Sequence, residues 1–147
     1  MKEKYDFYLA SGWFSPEQEQ GRQAILEVIK DLNLTVFSPK DEVICPDISS
    51  EAEQQNIFEG NLEAIRRSNF VIVNTAGKDM GTIFEAGFSY AEGKKIIYYC
   101  EGLEGGFNLM LSQSGICVAT NKLELIEHLI KFISNPFYYK KYVGKIE

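Results

Sequence analysis

Asn69-Phe70-Val71-Ile72-Val73-Asn74 (NFVIVN) is a short, unbroken apolar run bounded by amides, the pattern of a strand buried on both faces. Its neighbours decide the fold class. Residues 75–81 (TAGKDMG) supply a glycine-containing turn, residues 82–92 a helix ended by Gly93, and residues 95–100 (KIIYYC) a further strand. Upstream, residues 51–68 carry Ile57 or Phe58, Leu62 and Ile65 at helical spacing, with no proline to interrupt them. A helix therefore leads into the run and another leads out of it.

The same alternation extends to both ends. Residues 5–11 form an aromatic and apolar strand closed by Gly12. In Ser15-Pro16-Glu17-Gln18, Ser15 can cap, Pro16 suits the first helical position and Gln18 completes a capping box, so a helix runs to about Leu32. Residues 34–38 (LTVFS) read as a strand stopped by Pro39, and the polar residues 40–50, with Pro46, as a loop. Downstream come a helical turn over residues 108–111, a fifth strand over residues 116–119 and a last helix capped by Asn121. Its apolar stripe is Leu125 or Ile126, Leu129 or Ile130, and Ile133. The aromatic tail over residues 137–142 needs a surface to pack on.

Strands alternating with helices imply an α/β fold, a flavodoxin-like doubly wound five-stranded parallel sheet, in a single domain spanning residues 1–147. In the order 2-1-3-4-5 the direction of winding reverses between the first and third strands, and ligands sit at the carboxyl ends of the strands there. That points to two loops, residues 11–15 (SGWFS) and residues 75–81, the second leading into the helix with Glu85.

Composition narrows the chemistry. The 147 residues are 45% hydrophobic and 24% charged, the balance of a globular domain and not of a disordered one. A net charge of -6 argues against a nucleic-acid partner, whose phosphates demand clustered Lys and Arg. Three cysteines, Cys45, Cys100 and Cys117, without CxxC spacing suggest neither a disulfide framework nor a zinc ribbon, and fit a reducing, cytoplasmic setting. Nothing resembles a signal peptide or a membrane span. His128, the single histidine, lies beside the stripe of the last helix and reads as a surface residue, which disfavours His-dependent serine or cysteine catalysis. No cofactor or metal is expected, because neither a phosphate-binding glycine motif nor metal-ligand spacing occurs.

Carboxylates remain. Asp79 and Glu85 both fall near the switch point, although Thr82-Ile83-Phe84-Glu85 also fits a T-x-x-E capping box that would occupy Glu85 with a backbone amide. Trp13 and Phe14 serve either the core or the stacking of a flat ligand such as a nucleobase.

Four stretches together resemble the nucleoside 2-deoxyribosyltransferases: YLASGWFSPEQ from Tyr8, NLEAIRRSNFVIVN from Asn61, DMGTIFEAGFSYAEGKKI from Asp79, and FNLM from Phe107. The resemblance implies that Glu85 attacks C1' of a 2'-deoxynucleoside to give a covalent deoxyribosyl-enzyme, which a second base resolves. Position 85, near a helix N-terminus, would help keep the carboxylate ionised. Asp79 would bind the deoxyribose hydroxyls, Tyr8 would orient the nucleophile, and Trp13 and Phe14 would line the base pocket. Gly12 and Gly81, in the two switch-point loops, complete the expected substrate-binding set. Asn108 and Met110 would reach into a neighbouring subunit's site, which implies a homo-oligomer, the family commonly forming hexamers built from dimers.

The sequence departs from the family pattern at Asn61, where the resemblance implies Asp, and an amide cannot exchange a proton. Asn61 would then hold the base by hydrogen bonding, while water, Asp41 or Glu42 moves the proton. Two other functions compete with transfer: hydrolysis of the same N-glycosidic bond, and nucleoside binding without turnover.

Overall fold

The computed structural model describes residues 4–43 and 47–147. Cys45 and Pro46, the latter part of the expected loop, lie outside the described residues. In chain order the elements are β1 (Tyr5–Ala10), α1 (Pro16–Asp31), β2 (Val36–Phe37), α2 (Pro39–Glu42), α3 (Glu51–Arg66), β3 (Ser68–Asn74), a 3-10 turn (Ala76–Lys78), α4 (Met80–Ala91), β4 (Lys95–Tyr99), α5 (Leu109–Ser114), β5 (Cys117–Ala119) and α6 (Lys122–Ser134).

The five strands form one parallel sheet in the order β2-β1-β3-β4-β5. This is the doubly wound arrangement that the alternating pattern predicts, with its switch point between β1 and β3. The strands' period of two splits the core into layers. Phe7, Leu9, Ile72, Ile97 and Tyr99 face one side, where α1 and α6 cover them with Ile25, Val28, Leu125, Leu129 and Phe132. Tyr8, Ala10, Val71, Val73 and Tyr98 face the other, against Ala64 and Ile65 of α3 and Ala86 of α4. Tyr8 therefore points into the layer that contains the helix bearing Glu85.

Several local expectations need correction. Pro39 does not simply stop β2: it opens the short helix α2 from its first position, where a missing N–H costs nothing. Ser15 caps α1 as expected, its hydroxyl accepting from the Gln18 N–H at 3.2 Å, but the capping box is only half formed. The Gln18 side chain turns instead to the Phe14 N–H at 2.9 Å.

His128 is buried, not a surface residue. Its Nδ1 lies 2.8 Å from the Tyr138 hydroxyl and its Nε2 3.2 Å from the Val118 carbonyl, so a neutral ring satisfies both. Burial holds its pKa below the ordinary value. The buried stripe of α6 is consequently Leu125, His128, Leu129 and Phe132, while Ile130 and Ile133 are exposed. The tail packs in part, through Tyr138 on His128 and Tyr142 on Phe107. Phe137 and Tyr139 stay exposed.

Arg22 anchors the chain after β2 to α1. Its buried guanidinium meets Glu19 at 2.9 Å, Asp41 at 2.7 Å and the Ser38 hydroxyl at 2.9 Å. The hydrogen bond from Arg22 holds the Glu19 carboxyl far below the usual carboxylate range. A carboxyl depressed by folding contributes stability that is present above its unfolded pKa of 4.5 and lost as pH falls toward its folded value. Glu19→Gln should therefore lower stability at pH 7 by about 1 kcal/mol, since Glu19 keeps partial contact with water, and flatten the decline below pH 4.5. Urea melts at pH 7 and pH 3 measure both, and parallel pH profiles for the two proteins would remove Glu19 from the acid response.

Candidate active site

Thr82 and Glu85 do not form a capping box. Asp79 caps α4, its Oδ2 accepting from the Thr82 N–H and from the Thr82 hydroxyl, both at 2.9 Å. The helix thus begins at Met80, two residues before the expected start, and Glu85 stands in its second turn. A short polar side chain at Asp79 suits an N-cap better than Thr82 does, because the preceding Gly77 and Lys78, both at positive φ, fold the chain sharply into the helix.

Relieved of capping, the Glu85 side chain meets β1. The Tyr8 hydroxyl, on a fully buried residue, donates to Glu85 Oε2. Glu85 itself is half-buried, and burial pushes its carboxyl up to about 8. The expectation that the helix N-terminus keeps it ionised is overturned, because that field fades within the first turn while desolvation acts in full. About a tenth of the carboxyl is ionised at pH 7 with a pKa near 8.

Glu85 lines a cavity of about 290 Å³ together with Gly81 of α4 and Asn61 of α3. Its aromatic walls are Phe58 and Phe84, whose ring centres lie 5.9 Å apart. The Asn61 Oδ1 is shut off from water and has no hydrogen-bond partner among the described residues. Such an orphan costs about 1–3 kcal/mol wherever it occurs in a folded protein.

The other expected residues are placed apart from this cavity. Trp13 and Phe14 pack on each other at 4.9 Å, with Phe14 73% exposed, and neither lines the cavity. Phe58 and Phe84 supply the aromatic surface in their place. Asp41 is engaged by Arg22, and Glu42 is exposed at the end of α2. Asn108 caps α5, and with the exposed Met110 it lines a second cavity of about 420 Å³ beside Lys78 and Ile83. Asp79 makes no hydrogen bond through Oδ1 within the described residues, leaving that oxygen free at the head of α4.

Two residues that fix the switch-point loops escape sequence reasoning. Asn74, at the end of β3, donates to the Ser11 hydroxyl and the Gln18 carbonyl, each at 3.0 Å. Gln18 lies between Gly12 and Gly77, where a Cβ would stand 2.6 Å and 2.5 Å from its amide. The capping-box pattern hides that role, and the signal that could reveal it is the pair of glycines opposite. Gly77→Ala should destabilise the fold by about 1–2 kcal/mol, because its φ of +68° disfavours a side chain and the methyl would collide with Gln18. Denaturant melts test this, and a loss below about 0.3 kcal/mol would contradict it.

A carboxylate held by a tyrosine at the switch point of a doubly wound sheet defines a site for ligands at the strands' carboxyl ends. The family model described as nucleoside 2-deoxyribosyltransferase matches residues 7–125, and the chain belongs to that family. Among solved structures it is similar to the 2-deoxyribosyltransferase of Bacillus psychrosaccharolyticus, at 26% identity and a TM-score of 0.79, covering 93% of this chain and 98% of that one. A conserved protein from Enterococcus faecalis matches at 17% identity and a TM-score of 0.71, over 87% of this chain and 98% of the other. The CMP N-glycosidase BcmB of Clostridium botulinum matches at 15% identity and a TM-score of 0.56, over 84% and 97%, which speaks to the fold alone. No curated protein matches the sequence significantly. Among the described residues no helix is long and apolar enough to cross a membrane.

Proposed function

We propose that the chain moves 2-deoxyribose between nucleobases by double displacement at Glu85. One ionised Glu85 oxygen bonds to C1' of a 2'-deoxynucleoside as the C1'–N bond breaks. The bonding pair leaves on the base nitrogen, which takes a proton from water. A nitrogen of the incoming base then attacks C1', loses its proton to water and frees the Glu85 carboxylate, so configuration at C1' is retained overall. The observation that carries this reading is the release of Glu85 from capping into the wall of the cavity, with the Tyr8 hydroxyl on Oε2. The cavity's volume of about 290 Å³ is at the small end for small-molecule sites and suits a ring of nucleobase size.

In this reading Asp79 Oδ1 accepts from a deoxyribose hydroxyl, and Tyr8 orients the nucleophile. Asn108 and Met110, set apart from their own chain's Glu85, complete the site of a neighbouring copy in a homo-oligomer. The protein works in the cytoplasm on 2'-deoxynucleosides and free bases, with no metal or cofactor.

The test is to incubate the protein with a 2'-deoxynucleoside, with and without a second free base, and to separate the products. A new deoxynucleoside formed only when the second base is present is the expected result. Release of free base at the same rate without an acceptor would make the protein a hydrolase, and saturable binding without turnover would make it a binding module.

A further inference from the structure

Gln18 joins the two switch-point loops, and no step of the proposed chemistry uses it. Its side chain is polar, yet the residue is only 6% exposed, so its atoms must be accommodated inside the fold. It stands in the first turn of α1, three residues after the Ser15 cap, and its Oε1 accepts from the Phe14 N–H at 2.9 Å. That bond holds the first loop down on the helix. The Nε2 makes no hydrogen bond among the described residues and lies against Gly77 of the second loop.

Both loops rest on this one amide. A Cβ at Gly12 would stand 2.6 Å from Oε1 and a Cβ at Gly77 2.5 Å from Nε2, so each loop comes as near as a residue without a side chain allows. Beneath them the strand ends are tied separately, by Asn74 to Ser11, to the Gln18 carbonyl and to the Ala76 N–H at 3.2 Å. What Gln18 alone braces is the turn that follows, Gly77 and Lys78 at φ of +68° and +50°, which delivers Asp79 to the head of α4. Only Lys78 separates the braced glycine from the Asp79 carboxylate.

We infer that Gln18 is a positioning residue for substrate binding: by filling the space between Gly12 and Gly77 it fixes residues 77–79, so that Asp79 Oδ1 meets a hydroxyl of the deoxyribose. The inference rests on the deoxyribosyl-transfer reading for the role of Asp79. Gln18 itself touches no reacting atom and moves no proton. Its effect passes through one hydrogen bond to the sugar, and such a bond weakens steeply once distance and angle leave their narrow optimum.

Two measurements test the inference separately from the reading it rests on. Gln18→Met keeps the length of the side chain and removes the acceptor. Gln18→Glu keeps the acceptor, and a carboxylate in the first turn of a helix is favoured by the helix dipole. With acceptor base in excess, Gln18→Met should raise KM for a 2'-deoxynucleoside about tenfold and change kcat by less than about threefold, the pattern of lost ground-state binding, and Gln18→Glu should recover most of that loss. A smaller folded fraction would do the reverse, lowering kcat and leaving KM alone.

The second measurement is calorimetric binding to Glu85→Gln, which cannot turn over, using the nucleoside and its analogues that lack the 3'- or the 5'-hydroxyl. Asp79→Ser, which can still cap α4 with its single oxygen, identifies the analogue that has lost the hydroxyl held by Asp79, because binding of that analogue does not change. Adding Gln18→Met should weaken the parent nucleoside about tenfold and leave that same analogue unaffected. Equal losses for all three ligands would overturn the inference, as would an unchanged KM in Gln18→Met. If the binding pattern holds and no base is exchanged, Gln18 keeps its role and the transfer reading falls. If exchange proceeds and KM does not move, the transfer reading stands and the role of Gln18 falls. If none of the three ligands binds, both fall.

Discussion

Replacing Glu85 with Gln should cut deoxyribosyl transfer by at least about 1,000-fold while making the fold more stable in alkali. The loss follows from the proposed chemistry: an amide oxygen cannot form and release an ester to C1', so both halves of the double displacement stop. The gain follows from the position of the side chain. Burial raises the carboxyl from 4.5 to about 8, so the folded protein binds the Glu85 proton more tightly than the unfolded chain does. Stability from that proton is fully present below pH 4.5 and is lost as pH rises through about 8. Gln carries no charge to desolvate and still accepts the Tyr8 hydrogen bond. After discounting for the solvent that reaches a half-buried group, Glu85→Gln should gain about 2 kcal/mol at pH 9, or roughly 5 °C in Tm, and little at pH 5. Thermal melts at the two pH values, run beside the base-exchange assay, read both effects. Residual exchange near the unmodified rate would take Glu85 out of the mechanism, and equal melting shifts at pH 5 and pH 9 would remove its charge from the stability argument.

The same residue shows what could be read from sequence and what could not. The order of the five strands was legible because unbroken apolar runs such as NFVIVN mark strands buried on both faces, a period near 3.6 marks the helices between them, and that alternation implies a doubly wound parallel sheet. The choice between two caps was not legible. Asp79 and Thr82 are both good N-caps, and the decision falls to the backbone of residues 77–78, whose positive φ values aim the chain so that the Asp79 carboxylate meets the Thr82 N–H. That three-residue difference converts Glu85 from a capping candidate into a group free to meet Tyr8. His128 was misplaced for a related reason, since its burial depends on Tyr138, a tail residue that no helical periodicity brings to α6. Phe58 and Phe84 line the Glu85 cavity and Trp13 and Phe14 do not, because proximity to a strand end in sequence says nothing about which helix faces flank a cavity. Asn61 was visible as a departure from a family pattern, but its unpaired oxygen is a property of packing alone.

Tyr8→Phe isolates the contribution of one hydrogen bond to the working pH of the site. The ring is fully buried, so Phe keeps its volume and its stack on Phe37, 5.7 Å away, and stability should change by less than about 1 kcal/mol. What disappears is the hydroxyl that donates to Glu85 Oε2. A donor to a carboxylate favours the ionised form, and a bond to a charged group contributes about 1.5–3 kcal/mol. Without it the Glu85 carboxyl should move further up, by about one pH unit or more, because about 1.4 kcal/mol corresponds to one pH unit. The rising limb of kcat/KM against pH, which reports the free enzyme, should move by the same amount. At pH 7 the variant should therefore lose at least about tenfold in kcat/KM, and above pH 9 it should recover most of that loss if Tyr8 acts only on ionisation. A loss that persists in alkali would show that the hydroxyl also orients the attacking oxygen toward C1', which the proposed mechanism requires of it. A limb that stays where it was, with activity unchanged, would mean that the bond between Tyr8 and Glu85 holds the fold together and takes no part in the chemistry.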